Sequence, residues 1–175
     1  MHTLVVYSSI TGNTRQVAEA IAAALPGQVA LYPVAEAPLP QGYDLVLPGF
    51  WVNKGMADPA MLRYFPLITG KNVAFFGTLA AWPDSPHAMQ VLANTNEALK
   101  NNTILGSFLC QGRLSAKRMA QYMNPAYENA NHPMTPERKA RLLEAQKHPD
   151  QNDLDRAAGY FLSIHSALAQ KRNTS

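Results

Sequence analysis

The chain has 175 residues, of which 47% are apolar in type and 15% are charged, a composition typical of one compact globular domain. No apolar run approaches the roughly 20 residues of a membrane-spanning helix, and no secretory signal is recognisable, so we expect a cytoplasmic protein without a membrane span. The net charge is only +3, with no block of Lys and Arg, which excludes the usual pattern of a nucleic-acid binder.

Short apolar runs alternate with helical patterns along the chain, and this alternation predicts an α/β fold with a largely parallel sheet. The runs lack a strict apolar and polar alternation, as expected for strands that helices cover on both faces. Five strands are predicted, at residues 3–7, 28–33, 44–48, 72–77 and 103–110.

Helices are predicted between the strands from apolar stripes and capping residues. A first helix shows an apolar stripe over residues 17–25 and ends at a Pro-Gly pair. Asp58 and Asp84 are interpreted as helix-capping carboxylates, Asp58 because a proline follows it at the favoured first helical position. Two more helices are predicted at residues 86–100 and 153–171.

The segment 111–152 does not fit a minimal five-strand unit and is interpreted as an appended segment of a single domain, residues 1–175. It contains a short helical piece at 116–123, a Pro/Asn-rich stretch at 124–133, and a helix opened by Thr135-Pro136-Glu137. Three roles are open for this segment: it covers a ligand, binds a partner or forms a dimer.

A dense set of hydroxyl side chains follows the first strand, where the chain reads Ser8-Ser9-Ile10-Thr11-Gly12-Asn13-Thr14. In a parallel α/β sheet this point lies at the carboxyl ends of the strands, where a helix N-terminus presents unpaired N–H groups to an anion. The hydroxyls add donors, and Gly12 lets the backbone curve around the anion. Four hydroxyls in seven positions exceed the needs of one helix cap, so the pattern favours a phosphate-binding loop over a simple cap.

Two other types of phosphate loop are excluded by their spacing. A nucleoside triphosphate loop needs Gly-x-x-x-x-Gly-Lys-Ser/Thr, and a dinucleotide-binding turn needs Gly-x-Gly-x-x-Gly, and neither is present here. Arg15 alone is a cation close in sequence to the helix start. The loop therefore suits a single terminal phosphate.

The run Ser9-Ile10-Thr11-Gly12-Asn13-Thr14 resembles the Ser/Thr-x-Thr-Gly-x-Thr phosphate loop of the flavodoxin family. The resemblance implies a flavodoxin-like, doubly wound sheet of five parallel strands in the order 2-1-3-4-5, with the phosphate of FMN in this loop. Four further stretches resemble a subgroup of flavodoxin-like proteins that occur beside, and sometimes joined to, flavin-dependent bilirubin reductases in anaerobic bacteria. These stretches are residues 49–55, 76–79, 82–85 and 134–138.

If this loop holds the phosphate, the flavin ring is expected between residues 49–58 and 78–87, because they follow the strands at the switch point of the sheet. Each of these predicted loops holds one of the two tryptophans, Trp51 and Trp82, interpreted as stacking partners of the ring or, alternatively, as caps of the core. The other expected cofactor contacts in these two stretches are Asn53, Lys54, Gly55, Thr78 and Leu79.

The resemblance implies one more role after the third strand. Flavodoxins use a backbone carbonyl there to accept a hydrogen bond from the reduced flavin, and Gly55 is suited to the peptide flip that this requires. Lys54 departs from the acidic surroundings usual in the family. It is interpreted either as a cation that raises the flavin potential or as a solvated loop lysine.

The histidines lack the spacing of zinc ligands, and we predict no metal site. His165 lies on an apolar helical stripe and is expected to be a core residue with a satisfied hydrogen bond. His87 is interpreted as a helix-start residue or, alternatively, a proton donor near the flavin. Cys110, the only cysteine, is expected to be a buried inert thiol.

The leading functional hypothesis is an FMN-binding electron carrier that supplies a partner reductase. The alternatives are an FMN-dependent NAD(P)H:quinone-type oxidoreductase and a flavin-free docking module. Flavodoxins are commonly acidic, whereas residues 113–175 carry 10 basic and 6 acidic residues here. The nature of the partner surface is therefore open, and an acidic one is weakly favoured.

Overall fold

The computed structural model describes residues 1–124 and 133–173. The Pro/Asn-rich stretch predicted at 124–133 lies outside the described residues except at its two ends. The elements, in chain order, are β1 His2–Tyr7, α1 Asn13–Ala24, β2 Gln28–Pro33, β3 Leu45–Asn53, β4 Met56–Ala57, α2 Pro59–Tyr64, β5 Asn72–Leu79, α3 Pro86–Ala98, β6 Thr103–Gln111, α4 Ala116–Met123, α5 Pro136–Ala145 and α6 Gln151–Asn173.

Five long strands form a parallel sheet in the order β2-β1-β3-β5-β6. The two-residue β4 pairs antiparallel with the end of β3. Once β4 is set aside, this order is the predicted 2-1-3-4-5. The flavodoxin-like α/β sheet expected from the sequence is therefore confirmed.

Two apolar layers cover the sheet because alternate strand residues point to opposite faces. On one face α1 and α6 pack over Phe76, whose ring lies edge-on to Phe161 with centroids 5.8 Å apart. On the other face α2 and α3 pack over Phe50 and Phe75, which stack at 6.2 Å. Burial of each side chain of this size contributes roughly 1.5–3 kcal/mol to the free energy of folding. These two layers therefore hold the strands, and with them the carboxyl edge of the sheet, in place.

The third and fourth predicted strands extend further than the sequence indicated. The third strand was predicted to end at Pro48, but β3 continues to Asn53. A two-residue turn at Lys54 (φ 51°) and Gly55 (φ 79°) then reverses the chain into β4. Two successive positive φ angles are typical of tight hairpin turns, and the β4 pairing sustains the extra strand length.

The appended segment forms helices at the predicted positions. The eight residues of α4 are all exposed or half-buried, whereas α5 buries Leu142 and Ala145. The segment returns to the sheet at His148, whose carbonyl accepts a hydrogen bond from the Arg113 N–H at 2.9 Å. Among the helices that the structure describes, none is long and apolar enough to cross a membrane.

Candidate functional site

The loop between β1 and α1 lies at the carboxyl edge of the sheet, and Gly12 ends it in a left-handed conformation with φ 85°. The Ser8 N–H bonds to the Gly49 carbonyl at 2.9 Å, which fixes the loop to β3. No side chain of the described residues caps α1, whereas Asp58, Ser85, Ser115 and Thr135 cap the four helices that follow. The hydroxyls before α1 are therefore not there to cap the helix.

Three of the four hydroxyls bind other parts of the protein. Ser8 Oγ donates to Asp58 Oδ1 at 2.8 Å, and the hydroxyls of Thr14 and Thr78 share a buried hydrogen bond of 2.9 Å. Thr11 Oγ1 accepts a hydrogen bond from Asn13 Nδ2 at 2.9 Å. These bonds connect the loop to the ends of β5 and α2, so its backbone is held in place before any ligand binds.

The fourth hydroxyl, Ser9 Oγ, is buried and has no hydrogen-bond partner among the described residues, and the same is true of Asn13 Oδ1. Buried polar groups are almost always paired, and leaving one unpaired costs about 1–3 kcal/mol. A phosphate oxygen would accept a hydrogen bond from the Ser9 hydroxyl. The donor set of the loop thus fits a phosphate, while Ile10 is 73% exposed and points away from the core.

The β3–β4 hairpin forms the second part of the site. Trp51 is half-buried and lies in register with Thr78, while Asn53 pairs with Met56 across the turn. Trp51, Asn53, Thr78 and Leu79 thus lie in strands, which corrects the prediction that they are loop residues.

The turn of this hairpin presents Lys54, which is exposed, next to a buried Gly55. Asn94 Nδ2 donates to the Gly55 carbonyl at 2.9 Å and thereby fixes the peptide between Gly55 and Met56. The peptide flip expected from the sequence would therefore involve the Lys54–Gly55 peptide, which the Asn94 hydrogen bond does not hold. His87 lies beside the turn, since a Cβ on Gly55 would be 3.8 Å from His87 Cε1.

Trp82 lies in the segment between β5 and α3. It is 44% exposed and lines a groove of about 500 Å³ with Phe108, Leu109 and Arg156, at the β6 edge of the sheet. No residue of the phosphate loop or of the hairpin turn lines this groove. The structure therefore links the loop and the hairpin through Thr78, which bonds Thr14 and lies in register with Trp51.

The capping predictions have a mixed outcome. Asp58 accepts hydrogen bonds from the N–H groups of Ala60 and Met61, and its predicted capping role is confirmed. The prediction for Asp84 is wrong, because Ser85 caps α3. Proline at the first helical position makes the residue before it the cap, and in α3 that proline is residue 86.

The sequence analysis did not identify the residues that follow β6, Gly112 and Arg113, as one side of the site. The Gly112 N–H donates to the Leu79 carbonyl at 2.9 Å, and a Cβ on Gly112 would lie 2.8 Å from Asn13 Nδ2. The Arg113 carbonyl accepts a hydrogen bond from the same Asn13 nitrogen at 2.8 Å. Asn13 and Arg113 are 100 positions apart, so no local pattern in the sequence could predict their contact. The available sign was Gly112, a glycine just after the last predicted strand.

One histidine and two aspartates lie close together at the start of α6. His148 Nδ1 bonds Asp153 Oδ2 at 2.5 Å, and Asp150 and Asp153 accept from each other's N–H at the start of α6, which explains the proximity of these three side chains. His132 lies outside the described residues.

Two predicted core residues are indeed buried. Burial raises the pKa of the Cys110 thiol well above its usual range, as expected of an inert cysteine. His165 is only 5% exposed and burial lowers its pKa. We expected the His165 ring to be hydrogen-bonded. This prediction is wrong for its Nε2 atom, which has no partner among the described residues.

Known proteins match this chain in sequence and in fold. A family profile for the flavodoxin domain matches residues 4–162. The flavodoxin-like domain-containing protein BilS of Clostridioides difficile strain CD3 is 30% identical over 164 residues, which cover 90% of this chain and 93% of that protein.

Solved structures agree at the level of the fold. The oxidised flavodoxin 2 of Bacillus cereus has a TM-score of 0.59 at 15% identity, over 95% of this chain and 99% of that one. A flavoprotein in complex with FMN from Lactobacillus acidophilus NCFM has a TM-score of 0.50 at 18% identity, over 62% and 92% of the two chains. The sequence matches show that this chain belongs to the flavodoxin family and is similar to a BilS-type member of it.

Proposed function

We propose that this protein binds FMN and acts as an electron-transfer protein that delivers electrons to a partner reductase. The observation that carries the proposal is the buried Ser9 hydroxyl, which lacks a partner at the uncapped N-terminus of α1. Family membership and a fold similar to that of an FMN-bound flavoprotein support the choice of cofactor. FMN would supply reversible uptake of electrons at its ring.

The protein's own residues bind and orient the cofactor. The first N–H groups of α1 and the Ser9 hydroxyl donate to the phosphate, and the bonds of Thr11 and Thr14 keep the loop in shape without it. Trp51 and the Lys54–Gly55 turn border the ring and limit the access of water to one side of it.

The surface beside the hairpin fits a transient protein partner. Met56 on β4 is 40% exposed and Met89 on α3 is 50% exposed, and these two elements contact each other. Exposed methionines next to a redox centre give an adaptable apolar contact for docking. The basic residues of the appended segment favour a partner with acidic groups around that contact.

The first experiment is reconstitution with FMN followed by desalting and visible spectroscopy. Retained absorption near 370 and 450 nm, about where oxidised isoalloxazine absorbs, supports FMN binding. The dithionite-reduced holoprotein is then mixed with a one-electron acceptor such as cytochrome c under anaerobic conditions, and rapid reoxidation supports the carrier role. A colourless desalted protein contradicts the proposal.

One observation favours a second function, an FMN-dependent NAD(P)H:quinone-type oxidoreductase. Trp82, a candidate stacking partner that would hinder hydride transfer by covering one face of the ring, is 44% exposed and lines the open groove at β6. Rapid bleaching of the bound flavin by NADH or NADPH alone would favour this oxidoreductase over the carrier. Slow bleaching by both nucleotides would favour the carrier.

A further inference from the structure

The candidate phosphate loop contains no cationic side chain of its own. Arg15, in the first turn of α1, pairs with Glu19 through Nε at 2.7 Å. A phosphate monoester carries between one and a half and two negative charges at neutral pH. A bound flavin nucleotide would therefore bring a dianion to a loop that offers only neutral donors.

Arg113 approaches this loop from the exit of β6. Its carbonyl accepts hydrogen bonds from Asn13 Nδ2 at 2.8 Å and from Thr11 Oγ1 at 3.5 Å. Its own N–H donates to the His148 carbonyl at 2.9 Å. The main chain of Arg113 is thus fixed on both sides, in direct contact with two phosphate-loop residues.

The side chain of Arg113 is available at this position. It is exposed, and its guanidinium forms no hydrogen bond or ion pair with residues 1–124 or 133–173. Some other surface cations are paired, since Lys100 and Lys147 each bond a neighbouring glutamate at 2.6 Å. Because the backbone of Arg113 contacts Thr11 and Asn13 directly, its side chain begins beside the loop.

We propose that Arg113 is the phosphate-pairing cation of this site. The proposal rests on the proposed function, because it takes the Ser9–Thr14 loop as the phosphate site. A planar guanidinium donates two parallel hydrogen bonds to phosphate oxygens, and such charge-assisted bonds are about twice as strong as neutral ones. The appended segment then has a role in cofactor binding, because its His148 carbonyl holds Arg113 against the loop.

The test compares two flavins that share a ring and differ in the phosphate. The flavin-free protein is titrated with FMN and with riboflavin, and dissociation constants are read from the quenching of flavin fluorescence. Arg113→Gln is expected to weaken FMN binding about tenfold at low ionic strength and to leave riboflavin binding unchanged. Arg113→Lys should recover part of the loss, and added salt should reduce the difference.

Lys100→Gln is the matched control, because it removes the same charge on the surface before β6, at the opposite edge of the sheet. It should bind FMN as the wild type does. Equal FMN affinities of the wild type and Arg113→Gln would overturn the assignment and leave FMN binding standing. Parallel losses of FMN and riboflavin affinity would also overturn it, since they indicate general damage to the site.

Inorganic phosphate separates this inference from the proposed function. Phosphate binding that depends on Arg113, in a protein that does not retain FMN, would support the cation assignment and contradict the FMN proposal. A wild type that binds neither phosphate nor FMN would overturn both.

Discussion

Replacing Ser9 with alanine tests the phosphate loop through two quantities: the affinity for FMN, which should fall, and the stability of the flavin-free protein, which should rise. In the flavin-free protein Ser9 Oγ is buried without a partner, so its removal relieves a penalty of about 1–3 kcal/mol. In the FMN complex the same hydroxyl donates to a phosphate oxygen, and a hydrogen bond to a charged group contributes about 1.5–3 kcal/mol. Ser9→Ala should therefore lower FMN affinity at least about tenfold and raise the stability of the flavin-free protein.

The assay combines an FMN fluorescence titration with urea unfolding of the flavin-free protein. Ser8→Ala is the matched control, because Ser8 Oγ already donates to Asp58 Oδ1 at 2.8 Å. That variant should lose about 1.5–3 kcal/mol of stability, because the hydrogen bond goes to a carboxylate, and should keep most of its FMN affinity. The reasoning is refuted if Ser9→Ala binds FMN as tightly as the wild type, or if it destabilises the flavin-free protein as much as Ser8→Ala does.

Three further predictions concern the wall of the site, the hairpin turn and a surface ion pair. Gly112→Ala should weaken FMN binding at least about tenfold in the same titration, because the added Cβ would lie 2.8 Å from Asn13 Nδ2. Lys54→Gln should lower the second-electron potential in a spectroelectrochemical titration, by at most about 40 mV because the residue is solvent-exposed. Asp44→Asn should reduce the free energy of unfolding at pH 7 by about 0.5 kcal/mol after solvent screening. The pKa of Asp44 is lowered, first by the backbone N–H of His2 and then by Arg172, so this difference is present above about pH 4 and disappears as the pH falls through the lowered pKa.

Each of these changes has an outcome that would contradict it. Gly42→Ala, where an added Cβ meets nothing within 4 Å, is the control for Gly112, and equal FMN affinities of the two variants would argue against the close packing at the β6 exit. An unchanged potential in Lys54→Gln would leave that residue a solvated turn lysine. A stability difference for Asp44→Asn that persists at pH 2 would exclude the ionised carboxylate as its source.

The order of elements was predictable because it depends on patterns within short stretches, whereas the strand order of the sheet came from the resemblance of one loop to the flavodoxin family. Apolar periodicity marks each helix and strand, and a proline at the first helical position marks the start of α2 and α5. The candidate phosphate loop could be proposed for the same reason, since six contiguous residues, Ser9 to Thr14, carry its motif, and phosphate binding there stays a prediction. The same proline rule, applied to residue 86, would have identified Ser85 rather than Asp84 as the cap of α3.

The ends of the strands and the setting of the tryptophans depend on pairing between distant parts of the chain. β3 continues past Pro48 because β5 and the short β4 pair with its last residues, and this places Trp51 in a strand. Trp82 packs at the edge of β6, with residues more than twenty positions away in sequence. Local propensity contains no information on such pairings.

The sequence by itself thus determined the alternation of strands and helices and the position of the candidate phosphate loop, and the resemblance of that loop to the flavodoxin family supplied the strand order. Tertiary structure alone decided that the exit of β6 and the returning appended segment form the wall of that site. Asn13 and Arg113 are 100 residues apart, and only the parallel alignment of β1, β3, β5 and β6 brings their backbones to the same edge of the sheet. Contacts of this kind arise from the packing of whole strands, whereas a sequence pattern reports only the preferences of neighbouring residues.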